Sequence, residues 1–158
     1  MQENKIEDAV REYTQMVLNI AYTYTKNSHD AEDIAQDVFL SLYRNMWKIG
    51  SDEYMKAWLI RVTINKSKNH MKTAWIRKRS EMPNVQQDLP TNETGDLLNA
   101  VLSLDVKYKI PIYLMYYEGY SIKEISEIVK IKPATIGTRL KRGREILKNL
   151  LGDDYFAE

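Results

Sequence analysis

The sequence has no cysteine, two histidines (His29 and His70), four prolines and six glycines in 158 residues. Without thiols there is neither a disulfide framework nor a thiolate metal site, and two imidazoles are too few to build a zinc centre unaided. No structural metal and no cofactor is therefore expected. No run approaches the roughly 18 apolar residues of a membrane span. The opening MQENKIED has no apolar core of signal-peptide length. A cytoplasmic protein without membrane insertion is the expectation. The chain also lacks a phosphate-cradling glycine loop, a convincing carboxylate cluster and a nucleophile-base pair, which argues against an enzyme.

A hydrophobic content of 44% is enough for the core of one ordinary domain or two small ones. The 23 Lys+Arg almost balance the 22 Asp+Glu, so any preference for nucleic acid must come from how the charges are arranged. Apolar residues at Ile6, Val10, Tyr13, Val17, Ile20 and Tyr24 recur in steps of three and four, the signature of one helical stripe. A second helix is predicted after Asn27 and Ser28, which can cap it, with Ala31, Ile34, Ala35, Val38, Phe39 and Leu42 inward. Glu32, Asp33, Gln36 and Asp37 then share its outer face. Gly50, Ser51 and Asp52 break the pattern, and a third helix resumes near Glu53, drawing on Ala57, Trp58, Ile60, Val62 and Ile64, with Trp58 assigned to the core. From 61 to 80 that helix carries seven Lys/Arg and no acid. Such a density repels itself unless an anion lies alongside.

The stretch 81–95 has two prolines and hardly any periodic apolar signal, which reads as an interdomain linker. Leu97, Leu98, Val101, Leu102 and Leu104 begin a second helical block, and Pro111 bends or starts a helix within it. No alternating Val/Thr-rich strand is visible, so the fold class is all-α: two small helical domains over 1–80 and 96–152 joined by the linker.

Residues 120–144, YSIKEISEIVKIKPATIGTRLKRGR, have the layout of a helix-turn-helix. Ser121 is placed to cap the first helix, with Glu124 at capping-box distance. Lys130, Ile131 and Lys132 form the turn, and Pro133 suits the first position of the next helix. At about 100° per residue, that helix gathers Ile136, Leu140, Gly143, Leu147, Leu150 and Leu151 on one side. Ala134, Gly137, Thr138, Lys141 and Lys148 stand opposite, with Arg142 at the edge. Small residues permit close approach to a groove, and Thr138, Lys141 and Arg142 offer donors to base edges and phosphates.

These stretches together resemble the small extracytoplasmic-function sigma factors of RNA polymerase. DAEDIAQDVF (30–39) resembles the polymerase-binding helix of that family, and WLIRVTINKSKN (58–69) its promoter-melting helix. YEGYSIKEI (117–125) and ATIGTRLKRGR (134–144) resemble its helix-turn-helix. The resemblance implies that Asp30, Glu32, Asp33, Gln36 and Asp37 bind core RNA polymerase. It implies that Arg61, Asn65, Lys66, Asn69 and Lys72 meet the minus-ten element of promoter DNA. It likewise implies that Thr135, Thr138, Arg139, Lys141 and Arg142 read the minus-thirty-five element. Asn65 and Asn69 match positions that touch the displaced strand, where an amide offers both a donor and an acceptor. The loop 45–53 matches one that pockets a flipped base. Gly137 replaces a common basic residue, and Asp105 replaces a common proline, where it can serve as an N-cap. Trp47 and Trp75 could stack on unpaired bases, but core or rim packing is the expectation for both. The resemblance leaves open whether an anti-sigma factor is a partner. A stand-alone helix-turn-helix regulator that binds duplex DNA without polymerase is the alternative, and a helical adaptor without nucleic acid leaves the acid-free stretch unexplained.

Overall fold

In the computed structural model, residues 2–78 and 95–152 are described. The chain divides into two units, Met1–Asp88 and Leu89–Glu158. All regular structure among the described residues is helical. The linker expected over 81–95 lies outside the described residues except for Gly95, the first residue of a helix.

Three helices make the first unit: α1 (Gln2–Thr25), α2 (Ser28–Asn45) and α3 (Asp52–Lys78). Each packs against the other two. α1 buries Ala9, Tyr13, Met16, Val17, Ile20 and Ala21. Val10 is exposed and Ile6 half-buried, so the buried stripe is turned from the expected one toward Ala9 and Met16. Alanine gives a weak hydropathy signal but suits a face where helices approach closely. Lys26, in the left-handed region at φ 52°, ends α1. Asn27 then starts α2, its side chain accepting a hydrogen bond from the Asp30 N–H at 3.0 Å. α2 buries Ala31, Ile34, Ala35, Val38 and Leu42 as expected, while Phe39 is half-buried. A short 3-10 turn (Met46–Lys48) leads to α3.

The inner face of α3 differs from the apolar list. Met55, Leu59, Ile60, Thr63, Ile64 and Ser67 are buried, and Ala57, Trp58 and Val62 are half-buried, so Trp58 does not belong to the core. Thr63 can face inward because its hydroxyl donates to the Leu59 carbonyl at 2.6 Å, removing the cost of an unpaired buried donor. Each of Leu42, Leu59 and Ile60, fully buried, contributes about 1.5–3 kcal/mol of burial free energy.

The second unit holds α4 (Gly95–Leu102), α5 (Val106–Tyr116), α6 (Ile122–Val129) and α7 (Pro133–Leu151). α5 runs through Pro111, which is buried inside it. Asp105 stands at its N-cap position but makes no side-chain capping bond, so it does not replace proline in the way expected. The capping box of α6 is complete. Ser121 Oγ accepts from the Glu124 N–H at 3.1 Å, and Glu124 Oε1 accepts from the Ser121 N–H at 3.0 Å. The Ser121 backbone N–H, and after it the Ser121 hydroxyl, hold the Glu124 carboxyl below its ordinary pKa. Lys130 makes the turn in the left-handed region (φ 63°, ψ 43°), and Pro133 opens α7.

α7 buries Ile136, Leu140, Gly143 and Leu147 against its unit, whereas Leu151 is half-buried and Leu150 exposed, unlike the predicted stripe. Gly143 is required by close approach: a Cβ there would lie 2.4 Å from Ile112 Cδ1 and 3.4 Å from Tyr108 Cβ. Arg144 Nη1 donates to the Tyr116 hydroxyl at 3.3 Å, a further tie between α7 and α5.

Candidate nucleic-acid interface

Opposite the buried stripe of α7, Ala134, Thr138, Lys141 and Arg142 are exposed, and Thr135 and Arg139 stand half-buried on its flank. The Thr138 hydroxyl donates to the Ala134 carbonyl at 3.0 Å, which leaves its oxygen free to accept. Arg142 Nη1 lies 3.4 Å from Glu145 Oε2 in an exposed pair. Such a surface pair contributes little and is readily exchanged for another anion. A Cβ at Gly137 would meet nothing within 4 Å, so this face is open backbone.

The outer face of α3 is the second basic surface. Asn65, Lys68, Asn69 and Lys72 are exposed, and Arg61 and Lys66 are half-buried. Asn65 and Asn69 are four residues apart and therefore lie on one line of the helix. Trp75 and Ile76 are 60% and 65% exposed on the same helix, so Trp75 is outside the core. Trp47 is 77% exposed and beside Lys48, whose Nζ is 5.9 Å from its ring centroid. The loop 45–53 borders a cavity of about 800 Å³, whose other wall is the segment of α1 from Lys5 to Tyr13.

On α2, Glu32, Asp33, Gln36 and Asp37 are exposed together, as the wheel predicts. Among the described residues this face has no lysine or arginine partner, and His29 Nδ1 lies 3.4 Å from Asp33 Oδ2. Asp30 is set apart from the group, half-buried and 3.4 Å from His70 Nε2 of α3. His29, Asp30 and Asp33 bring ligand-type atoms within 4.8 Å of one another. They stand in the first turns of α2, where the positive end of the helix dipole favours the carboxylates and opposes a bound cation.

Two family models match the chain, Sigma-70 region 2 over residues 9–77 and Sigma-70 region 4 over residues 94–147. Together they span most of it. The chain belongs to the sigma-70 family, in its extracytoplasmic-function branch. Among similar curated sigma factors, SigW of Bacillus subtilis is 28% identical, the match covering 96% of this chain and 91% of SigW. SigE of Mycolicibacterium smegmatis is 29% identical over 92% of this chain, which spans only 61% of SigE. The fold is similar to that of the sigma factor RpoE solved with the anti-sigma factor NepR from Bartonella quintana. That match has a TM-score of 0.80 and 18% identity, and covers 95% of this chain and 98% of that one.

On these boundaries, region 2 of the sigma factor takes in most of α1 and all of α2, and runs along α3 to residue 77, while region 4 takes in α4 to α6 and most of α7. Both basic surfaces and the acidic face therefore fall inside matched regions. The sequence reading missed Leu40 and Tyr43, which are 54% and 56% exposed. They continue the Asp33–Asp37 side of α2 by one and two turns. Their spacing of three residues from Asp37 and from each other is a signal that charge alone obscured. No helix among the described residues is long and apolar enough to cross a membrane.

Proposed function

We propose that this sigma factor binds core RNA polymerase through α2, captures the minus-ten element along α3 and reads the minus-thirty-five element with α7. In this reading residues 1–80 and 96–152 are separate working domains on a tether of 81–95. Glu32, Asp33, Gln36 and Asp37 meet a basic surface of the polymerase, and Leu40 and Tyr43 add apolar contact beyond them. Asp30 contributes through its pairing with His70 rather than by direct contact. Arg61, Lys66 and Lys72 neutralise phosphates, while Asn65 and Asn69 address unpaired base edges. Thr138, Lys141 and Arg142 enter the major groove, with Thr135 and Arg139 on flanking phosphates.

One observation carries this reading: an exposed acidic face stands on α2, an exposed stretch without acids stands on α3 from residue 61, and the exposed face of α7 carries Lys141 and Arg142 with a single acid, Glu145, beside Arg142. A protein that only binds DNA gains nothing from the first, because like charges repel the duplex. The protein works in the cytoplasm and does no chemistry itself, the polymerase supplying the catalysis. An anti-sigma factor, the kind of partner bound to the solved RpoE relative, is a further partner in this reading. Transcription reconstituted from the full chain, core polymerase and a promoter panel tests it. Promoter-dependent transcripts are expected only when the chain is present. Tight duplex binding without polymerase, and no transcript from any promoter, would favour the stand-alone regulator.

A further inference from the structure

One pair of side chains joins the two proposed faces of the first unit. Asp30 stands in the first turn of α2, and its Oδ2 lies 3.4 Å from His70 Nε2 of α3, the side chains being 39% and 23% exposed. The backbone under Asp30 is held as well, because its N–H donates to the Asn27 side chain. Asp30 precedes Asp33 by three residues and so neighbours it on the helix surface. His70 directly follows Asn69 and stands one turn beyond Lys66. The bridge therefore reaches from the edge of the acidic face to the residues that α3 offers to DNA.

What the bridge does follows from how α3 is anchored. Met55, Leu59, Ile60 and Ile64 seat its first half in the core. From 68 to 76 no residue of α3 is buried, and His70, Met71 and Ala74 are only half-buried. Ser67, the last buried residue before that stretch, adds no direction, since its Oγ has no hydrogen-bond partner among the described residues. Apolar burial presses a helix onto its neighbours without fixing its angle, because the hydrophobic effect is non-directional. A carboxylate facing a ring nitrogen does have a preferred direction. A contact this exposed adds little to stability, whether or not the imidazole is charged. Its effect lies in where it holds the part of α3 that carries Asn69 and Lys72.

We propose that Asp30 and His70 are positioning residues for promoter opening: Asp30 holds His70, and His70 holds the 68–76 part of α3 at the angle that captures the opened strand. Polymerase seated on Asp33 and Asp37 steadies the turn that carries Asp30, so the same contact orders the DNA face. The proposal rests on the sigma reading above. It assigns both residues a task that needs neither to touch polymerase or a base, and their loss therefore slows opening without loosening the polymerase.

The test uses holoenzyme assembled from the full chain and core polymerase, and reads two quantities, the affinity for core and the rate of promoter opening at saturating promoter. Asp30→Ala and His70→Ala are each expected to slow opening roughly three- to thirtyfold, within the range for residues coupled by contact. Core affinity is expected to stay within about twofold of wild type, and the double variant to be no slower than either single one, since both remove the same contact. His70→Gln, whose amide nitrogen reaches about as far as Nε2, should restore most of the rate when Asp30 is present and none when Asp30 is replaced by alanine. His70→Phe keeps the bulk of the ring without its nitrogens and should be as slow as alanine. A phenylalanine variant as fast as wild type would reduce His70 to packing and overturn the proposal. Wild-type opening by the alanine variants, additive losses in the double variant, or a matching loss of core affinity would overturn it too, leaving the sigma reading in place. Wild-type holoenzyme that opens no promoter in the panel would overturn the sigma reading and this inference together.

Discussion

The two units present their surfaces in opposite ways. In Leu89–Glu158 the proposed DNA face is the complement of one apolar stripe on α7, and its supports are local: a capping box, a left-handed turn residue and an N-terminal proline. In Met1–Asp88 the proposed faces lie on helices of a unit that buries Thr23, Thr63 and Ser67, while Leu40, Tyr43, Trp47, Trp75 and Ile76 are left exposed. Hydropathy therefore locates the inner faces of α2 and of most of α7 and misleads on α1 and α3. A helix packed on several neighbours can bury small polar residues, as Thr23 and Thr63 do by donating to the Ile20 and Leu59 carbonyls, while Ser67 Oγ is buried without a hydrogen-bond partner among the described residues; a binding helix can also expose apolar residues.

The largest expected effect separates the two units by partner. Asp33→Lys with Asp37→Lys should leave the fold intact, since both are exposed, and should weaken association with core polymerase on the order of a hundredfold, like charge opposing like charge. A pull-down of core polymerase by the double variant at wild-type strength would remove α2 from the interface. Duplex binding by the second unit should not fall.

A second pair separates them by DNA form. Arg142→Ala should weaken recognition of the minus-thirty-five duplex by about 1–3 kcal/mol if the guanidinium makes a forked contact. Asn65→Ala with Asn69→Ala should spare the duplex and blur discrimination among minus-ten sequences on single-stranded competitors. If the competition profile of the double variant matched wild type, α3 would lose its reading role.

Within α7 the two faces can be weighed through its glycines. Gly143→Leu drives a side chain into Ile112 and Tyr108 and should cost about 1–3 kcal/mol in denaturant unfolding. Gly137→Ala meets open space and should add up to about 1 kcal/mol by helix propensity. Equal responses at the two positions would contradict the assigned faces.

The smallest effect concerns the cap of α6. The Glu124 pKa is lowered in the folded chain, so its contribution to stability is present above the unfolded carboxyl pKa and fades as pH falls through the folded one. Glu124→Gln should flatten that part of the acid unfolding curve, and an unchanged acid limb would show that the capping box does not govern it.

Much of this was legible from residues alone. Ser121, Glu124 and Pro133 act within one turn of themselves, so local rules found the helix-turn-helix, and strict three-and-four spacing found the inner face of α2. The acidic and acid-free segments were visible as well, because charge order is a property of the chain. Packing decided the rest. Trp58 came out half-buried rather than central, and the fully buried Lys109 had no apolar signature. Asp30 left the acidic group because α3 brings His70 to it from forty residues away. Only tertiary structure could settle Trp47 and Trp75, since an aromatic on a helix is equally compatible with a core and with a surface until its neighbours are known. The sequence determined which helices form and where charge lies along them. The packing of those helices determined which side chains remain outside, because burial depends on what faces a residue and not on the residue itself.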